Sequence, residues 1–232
     1  MLDVVTAYLY GPLNADIYIK PPPDFFSEIP PGDTQRSYSG LKIQKALYGL
    51  KQAGRMWYKH LRDFLLYHKF QHDQTLPCLF ILKDTTGFVI IAVYVDDLNL
   101  VGTTITYRHA ENLLINQFEM KLLGKTTFCL GLQVAHLNDG SIFLHQTAYT
   151  QILLKRFGMD HTSPLSAPMM GRSRTFDDPY RPCKEEEEEF YDRNMYLAAV
   201  GALLYLSTYT RPDISFATSI LARHSQKPGI CH

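Results

Sequence analysis

Cysteine is scarce and scattered. Cys78, Cys129, Cys183 and Cys231 form no CxxC pair in 232 residues, which argues against a disulfide framework or a zinc site and favours a reducing, intracellular compartment. Neither sign of charge is in excess: 23 Lys and Arg balance 23 Asp and Glu, so bulk electrostatics point to no partner. No apolar stretch reaches the ~20 residues of a helical membrane span, and no signal-peptide pattern opens the sequence. The apolar segment Tyr196–Thr208 is too short and reads as a buried helix. No internal repeat is visible.

What is present is enough for a real core. Hydrophobic residues make up 46% and aromatics 12%, and the length suits one large domain or two small ones. Charge, although balanced overall, is unevenly placed. Between Lys42 and Lys69 there are seven Lys or Arg and one acid, Asp63, whereas Glu185–Glu189 is an unbroken acidic run. A local basic face is compatible with nucleic acid; a solvated side of an amphipathic helix is the plainer account.

The stretch around which the rest is organised is Val89–Gly102, VIIAVYVDDLNLVG. Its β-branched residues favour two strands meeting at a tight turn that carries Asp96 and Asp97. Buried charge is costly unless paired or metal-bound, and oxygen-only ligands suit Mg2+ or Mn2+. On local sequence alone a solvated hairpin turn explains the pair equally well. About one Asp-Asp pair is expected by chance, and a second, Asp177–Asp178, lies in a polar, Pro-flanked stretch.

In chain order, Leu2–Leu9 reads as a strand begun by Asp3, Ile17–Lys20 as a second and Leu41–Leu50 as a third that meets Gly49. A proline-rich loop lies between the second and third. Ala53–Phe70 has a helical apolar stripe that includes Trp57, Leu61 and Leu65, with Arg55, Lys59, Arg62 and Lys69 on its other face. Trp57 and Tyr58 read as helix-packing residues. Strands are expected at Cys78–Leu82 and Phe88–Val95, then a helix near Arg108–Phe118. Phe128–Ala135 reads as one strand in which Gly131 marks a bulge or close backbone approach. Ser141–Leu144 is expected to pair with it across Asn138-Asp139-Gly140. A helix over Thr147–Phe157 should be capped by Gly158. Residues 162–190 read as a linker or mobile loop, followed by helices at Tyr191–Tyr209 and Pro212–Arg223.

Three features stand together: an aspartate-led strand, a Gly-containing strand-to-helix turn with basic residues, and a strand–Asp–Asp–strand hairpin. With the blocks DVVTAYL (3–9), IQKALYGLKQAGRMWY (43–58), YVDD (94–97), FCLG (128–131), LLKRFGM (153–159), YLAAVGALLYL (196–206) and TRPDI (210–214) in this order, the chain resembles the reverse transcriptase domain of copia-type LTR retrotransposon polyproteins. The resemblance implies an α+β fold. An antiparallel palm sheet packs on helices over 1–161, the loop 162–190 follows, and a helical, thumb- or connection-like segment occupies 191–232.

It implies RNA-directed DNA synthesis on an RNA template, extending a DNA or tRNA primer with deoxynucleoside triphosphates and two Mg2+ or Mn2+ ions. Asp3, Asp96 and Asp97 would be the catalytic metal ligands. Tyr8 would stand against the sugar of the incoming nucleotide, where its ring crowds a 2′-hydroxyl. Tyr48, Gly49, Lys51 and Gln52 resemble the nucleotide- and template-contacting turn. Leu130 and Gly131 resemble the primer grip, and Lys121 lies, by a looser match, near a loop that assists the pyrophosphate leaving group.

In the intact element the partners would be the remaining polyprotein segments, integrase and RNase H among them, inside cytoplasmic virus-like particles with access to the nucleus. Three departures stand out. The fingers segment that precedes the first aspartate block is expected to be largely missing, Gly54 stands where the family usually has proline, and the helical segment 191–232 is expected to be truncated before the connection and RNase H regions. A catalytically inactive remnant that at most binds nucleic acid or a partner is therefore the alternative expectation. A DNA-directed palm polymerase is disfavoured by the YVDD and YGLKQ blocks together.

Overall fold

A computed structural model describes residues 1–21, 40–169, 192–229 and 232. Among them are eleven strands and five α-helices, and every strand pairing is antiparallel. The chain is thus α+β. It divides into two compact units, Met1–Thr126 and Thr127–His232. Asp177–Asp178, Glu185–Glu189 and most of the expected linker lie outside the described residues.

The first unit is built on strands β1 (Leu2–Val4), β2 (Pro12–Ile19), β3 (Leu41–Lys45), β4 (Gln71–His72), β5 (Leu79–Asp84), β6 (Gly87–Tyr94), β7 (Asp97–Gly102) and β8 (Met120–Leu122). Six of them form one sheet in the order β4-β5-β6-β7-β1-β8, while β2 and β3 make a separate ribbon. Period-two alternation decides the faces. Leu2 and Val4, Leu98 and Leu100, Val89 and Ile91, Phe80 and Leu82 all turn inward and are buried. Helices α1 (Ala53–Tyr67) and α2 (Thr104–Gln117) cover that face. Trp57, Leu61 and Leu65, spaced four apart on α1, join Ala110 and Leu114 of α2 in the same core.

Local details explain where the elements stop. At the end of α1, Lys69 turns left-handed (φ 65°), and the amides of Lys69 and Phe70 reach back to the carbonyls of Leu66 and Leu65. This is a Schellman closure without its usual glycine. The expected strand Leu2–Leu9 is cut short: β1 ends at Val4, Thr6 takes φ 54°, and Ala7–Tyr10 form a 3₁₀ turn. Tertiary packing overrides the β-propensity here. The turn sinks Ala7 into the core and sets the Tyr10 ring 5.9 Å from Trp57 and 5.2 Å from Phe118.

The second unit contains strands β9 (Phe128–Cys129), β10 (Leu132–His136) and β11 (Ile142–His145), with helices α3 (Thr147–Arg156), α4 (Arg193–Tyr209) and α5 (Ser215–Ala222). The single strand expected over Phe128–Ala135 is two strands. Cys129 pairs with Leu132 across a two-residue turn, Leu130–Gly131, in which both residues have positive φ (51° and 83°). That is the signature of a tight hairpin. The β10–β11 hairpin forms as expected. Gly158 (φ 65°) closes α3, with its amide and that of Met159 bonded to Lys155 and Leu154. Leu153, Ala202 and Leu206 make a small apolar core.

Leu61 is fully buried whereas Leu66, on the opposite side of α1, is 37% exposed. Leu61→Ala should lower unfolding stability by about 2–5 kcal/mol in urea titration, and Leu66→Ala by less than about 1 kcal/mol.

Candidate active site

Strand pairing brings the first and the later aspartates together. In the β1–β7 ladder Asp3 stands directly opposite Asp97, and residues opposite one another project to the same face. Their neighbours Leu2, Val4 and Leu98 point into the core, so the two carboxylates lie on the face away from the helices. Asp96 occupies the turn itself, and its carbonyl accepts a 2.8 Å hydrogen bond from the Val4 amide. On the far side of β1, Lys121 of β8 pairs with Asp3 in register. Its ammonium is 3.9 Å from the Asp3 carboxylate and largely exposed, a contact that contributes little.

Asp97 responds to this crowding. Burial, and then the negative charges of Asp96 and Asp3, raise its pKa above the ordinary carboxylate value. All three acids therefore share one field. Among the described residues no group of three or more His, Cys, Asp or Glu is assembled to hold a metal ion by itself. The donor chemistry nonetheless fits a hard divalent cation, because Mg2+ keeps several waters and takes only one or two carboxylates alongside substrate phosphates. Two opposed carboxylates are what such an ion needs from the protein.

The hairpin that carries the acids is unusual in its backbone. Tyr94 pairs with Asp97, leaving Val95 and Asp96 as the two-residue turn. Val95 has φ 55°, at a position where glycine is usual in a turn with positive φ at its first central residue. A β-branched residue there stores about 1–3 kcal/mol of strain. The Val95 carbonyl accepts a 2.6 Å hydrogen bond from Trp57 Nε1.

The other site candidates fall into two groups. Tyr8, placed by the 3₁₀ turn rather than by a strand, packs on Tyr48 with the rings tilted 33° and their centroids 4.4 Å apart. Tyr8 also lines a cavity of about 280 Å³ with Gly54, Trp57, Tyr58, Val93 and Val95, so it shares that cavity with the aspartate turn. Gly49 (φ 96°), exposed Lys51 and half-buried Gln52 complete the loop that leads into α1. Among the described residues no hydrogen bond or ion pair joins Lys51 or Gln52 to the three aspartates.

Leu130 and Gly131 belong to the second unit. There the Tyr205 hydroxyl donates to the Leu130 carbonyl at 3.1 Å, and a Cβ at residue 131 would run into that same hydroxyl. Glycine is thus required twice over, by φ and by space. Trp57 and Tyr205 are the residues that motif reading missed as parts of these turns. The stripe of Trp57 and the apolar segment of Tyr205 announce packing, and only the fold shows which carbonyl each polar atom reaches.

Against known proteins, residues 1–171 match the family model for reverse transcriptase (RNA-dependent DNA polymerase). The chain is 32% identical over its full length to the retrovirus-related Pol polyprotein from transposon TNT 1-94 of Nicotiana tabacum, spanning 17% of that polyprotein. It is 35% identical over 98% of its length to the corresponding polyprotein from transposon RE1 of Arabidopsis thaliana, spanning 14%. For transposon RE2 of the same plant the identity is 32% over 98% of the chain, which covers 15% of that relative. The chain therefore spans less than a fifth of these polyproteins. No solved structure matches.

The raised pKa of Asp97 fixes the sign of a pH effect. A carboxyl that holds its proton more tightly folded than unfolded costs no stability below its unfolded pKa and opposes the folded state increasingly as pH rises through its folded pKa. Asp97→Asn should therefore raise the melting temperature at pH 7 and leave it nearly unchanged near pH 3. Equal shifts at both pH values in a thermal-melt series would contradict the raised pKa of Asp97.

Proposed function

The chain belongs to the reverse transcriptase (RNA-dependent DNA polymerase) family, and from that premise we propose that it is the polymerase portion of a retrotransposon polyprotein, adding deoxynucleotides to a primer 3′-hydroxyl on an RNA template. The observation that carries the proposal is the in-register opposition of Asp3 and Asp97, with Asp96 in the adjoining turn. The sheet of the first unit takes the palm role. The thumb-like role goes to the helical segment after residue 191, and residues 162–190 join it to the palm-like core of residues 1–161.

Asp3, Asp96 and Asp97 would hold two Mg2+ or Mn2+ ions. When bound, such ions activate the attacking hydroxyl and neutralise charge on the transferring phosphoryl group. The remaining work belongs to positioning. Tyr8, braced against Tyr48, crowds the 2′-position of an incoming nucleotide and so favours deoxyribose. Tyr48, Gly49, Lys51 and Gln52 form the turn that meets nucleotide and template, Lys51 by charge. In the second unit Leu130 and Gly131 offer a rigid two-residue turn to the primer.

A second reading, a remnant that binds nucleic acid or a partner without catalysis, draws on the lack of a preassembled three-ligand group among the described residues. Primer extension separates the two. The chain, alone and fused behind the segment that precedes the matching region in the tobacco polyprotein, is assayed on poly(rA)–oligo(dT) with Mg2+ or Mn2+. Extension in either form is expected, with Asp96→Asn lowering it by at least about 100-fold and Tyr8→Ala raising ribonucleotide incorporation. No extension by either form, with retained binding of the duplex, would establish the remnant.

A further inference from the structure

The aspartate turn contains a backbone conformation that its own sequence does not favour. Val95 is β-branched and left-handed, and nothing in the tetrapeptide Tyr94–Asp97 removes that cost. The compensation comes from 38 residues earlier in the chain. Trp57 Nε1–H donates to the Val95 carbonyl at 2.6 Å, and the indole has little freedom to leave. It is 1% exposed, meets the Phe118 ring edge-on at 5.2 Å, and lies 5.9 Å from Tyr10.

Peptide planarity turns this bond into a constraint on the acid. The Val95 carbonyl and the Asp96 amide share one rigid plane, so fixing the carbonyl fixes the entry to the Asp96 Cα. The next plane is fixed from the other side, because the Asp96 carbonyl accepts from the Val4 amide at 2.8 Å. Both peptide planes that flank Asp96 are therefore tied to separate elements, one to α1 and one to the strand that carries Asp3. We propose that Trp57 is a positioning residue for the Asp96–Asp97 turn, acting through the Val95 carbonyl, and not a packing residue alone. The catalytic consequence rests on the polymerase reading above; the structural consequence does not.

One tryptophan in the sequence makes the test clean. In the 15N-labelled full chain the single indole resonance reports the bond directly. Its proton is expected to exchange as slowly as the most protected core amides, such as those of β6 and β7. Exchange tenfold or more faster than those amides would overturn the proposal, and this measurement requires no variant. Trp57→Phe keeps an aromatic ring and removes the donor. The amide signals of Asp96 and Asp97 should shift or broaden more than those of Leu61 and Leu114, which lie in the same core. Shifts spread evenly around the ring, with Asp96 and Asp97 unmoved, would reduce Trp57 to packing.

Single-nucleotide extension supplies the kinetic arm. Trp57→Phe should lower kcat about 10- to 100-fold, with the deoxynucleotide KM changed less than twofold and the burst amplitude retained. A fall in burst amplitude at unchanged rate per active molecule would instead mean lost folding and no positioning role. Should neither the chain alone nor its fused form extend a primer while the indole and amide results hold, the polymerase reading fails and the bond stands.

Discussion

Antiparallel pairing of β1 with β7 is the constraint from which the site follows. Three residues of β1 are held between β7 and β8, and their alternation leaves no choice of face. Leu2 and Val4 must enter the core beneath α1 and α2, so Asp3 must leave it on the side where Asp97 also emerges. A slip of one residue would bury Asp3 and expose two core side chains, which the apolar pattern forbids. The meeting of two carboxylates far apart in sequence is thus enforced by hydrophobic burial on the opposite face of the same strands. Burial first, and then the negative charges of Asp96 and Asp3, raise the proton affinity of Asp97.

A second theme is the tight turn built without the residue that would make it easy. Val95 and Leu130 both adopt left-handed conformations as the first residue of two-residue hairpins. In each unit, taken by itself, an aromatic side chain from a helix donates a hydrogen bond to the strained residue's carbonyl: Trp57 to Val95 and Tyr205 to Leu130. Glycine would relax either turn, yet it would also restore backbone freedom. A bulky residue whose carbonyl is held by a side-chain donor defines the turn more narrowly than glycine could.

Legibility in the sequence follows the same division. Where a special backbone angle is filled by glycine, local reading succeeded: Gly158 closes α3 and Asn138-Asp139-Gly140 turns β10 into β11. Where it is filled by Thr6, Lys69, Val95 or Leu130, the residue type gives no local signal: at Thr6, Val95 and Leu130 tertiary contacts accompany the angle, and at Lys69 the helix closes without its usual glycine. That is why Leu2–Leu9 reads as one strand, and why Gly131 announces a bulge or close approach without announcing the two-residue turn it forms with Leu130. The core stripe of α1 was plain from its spacing of apolar residues. The polar atom within that stripe, Trp57 Nε1, was not, since periodicity ranks residues by burial and is blind to what a buried donor reaches. The Asp-Asp pair itself was ambiguous until β1 supplied its partner, and that pairing is a property of the sheet, outside any window of sequence.

The central claim, that Asp3 and Asp97 share one electrostatic field across the β1–β7 ladder, is most directly tested by a double-mutant cycle. Unfolding free energies at pH 7 and low salt are compared for the unmodified chain, Asp3→Asn, Asp97→Asn and the double variant. Each single change removes the same repulsion, so the double variant should gain less stability than the sum of the two, with a coupling of at least about 0.5 kcal/mol. Additivity within about 0.3 kcal/mol would mean that the carboxylates do not meet, and the site described here would not exist.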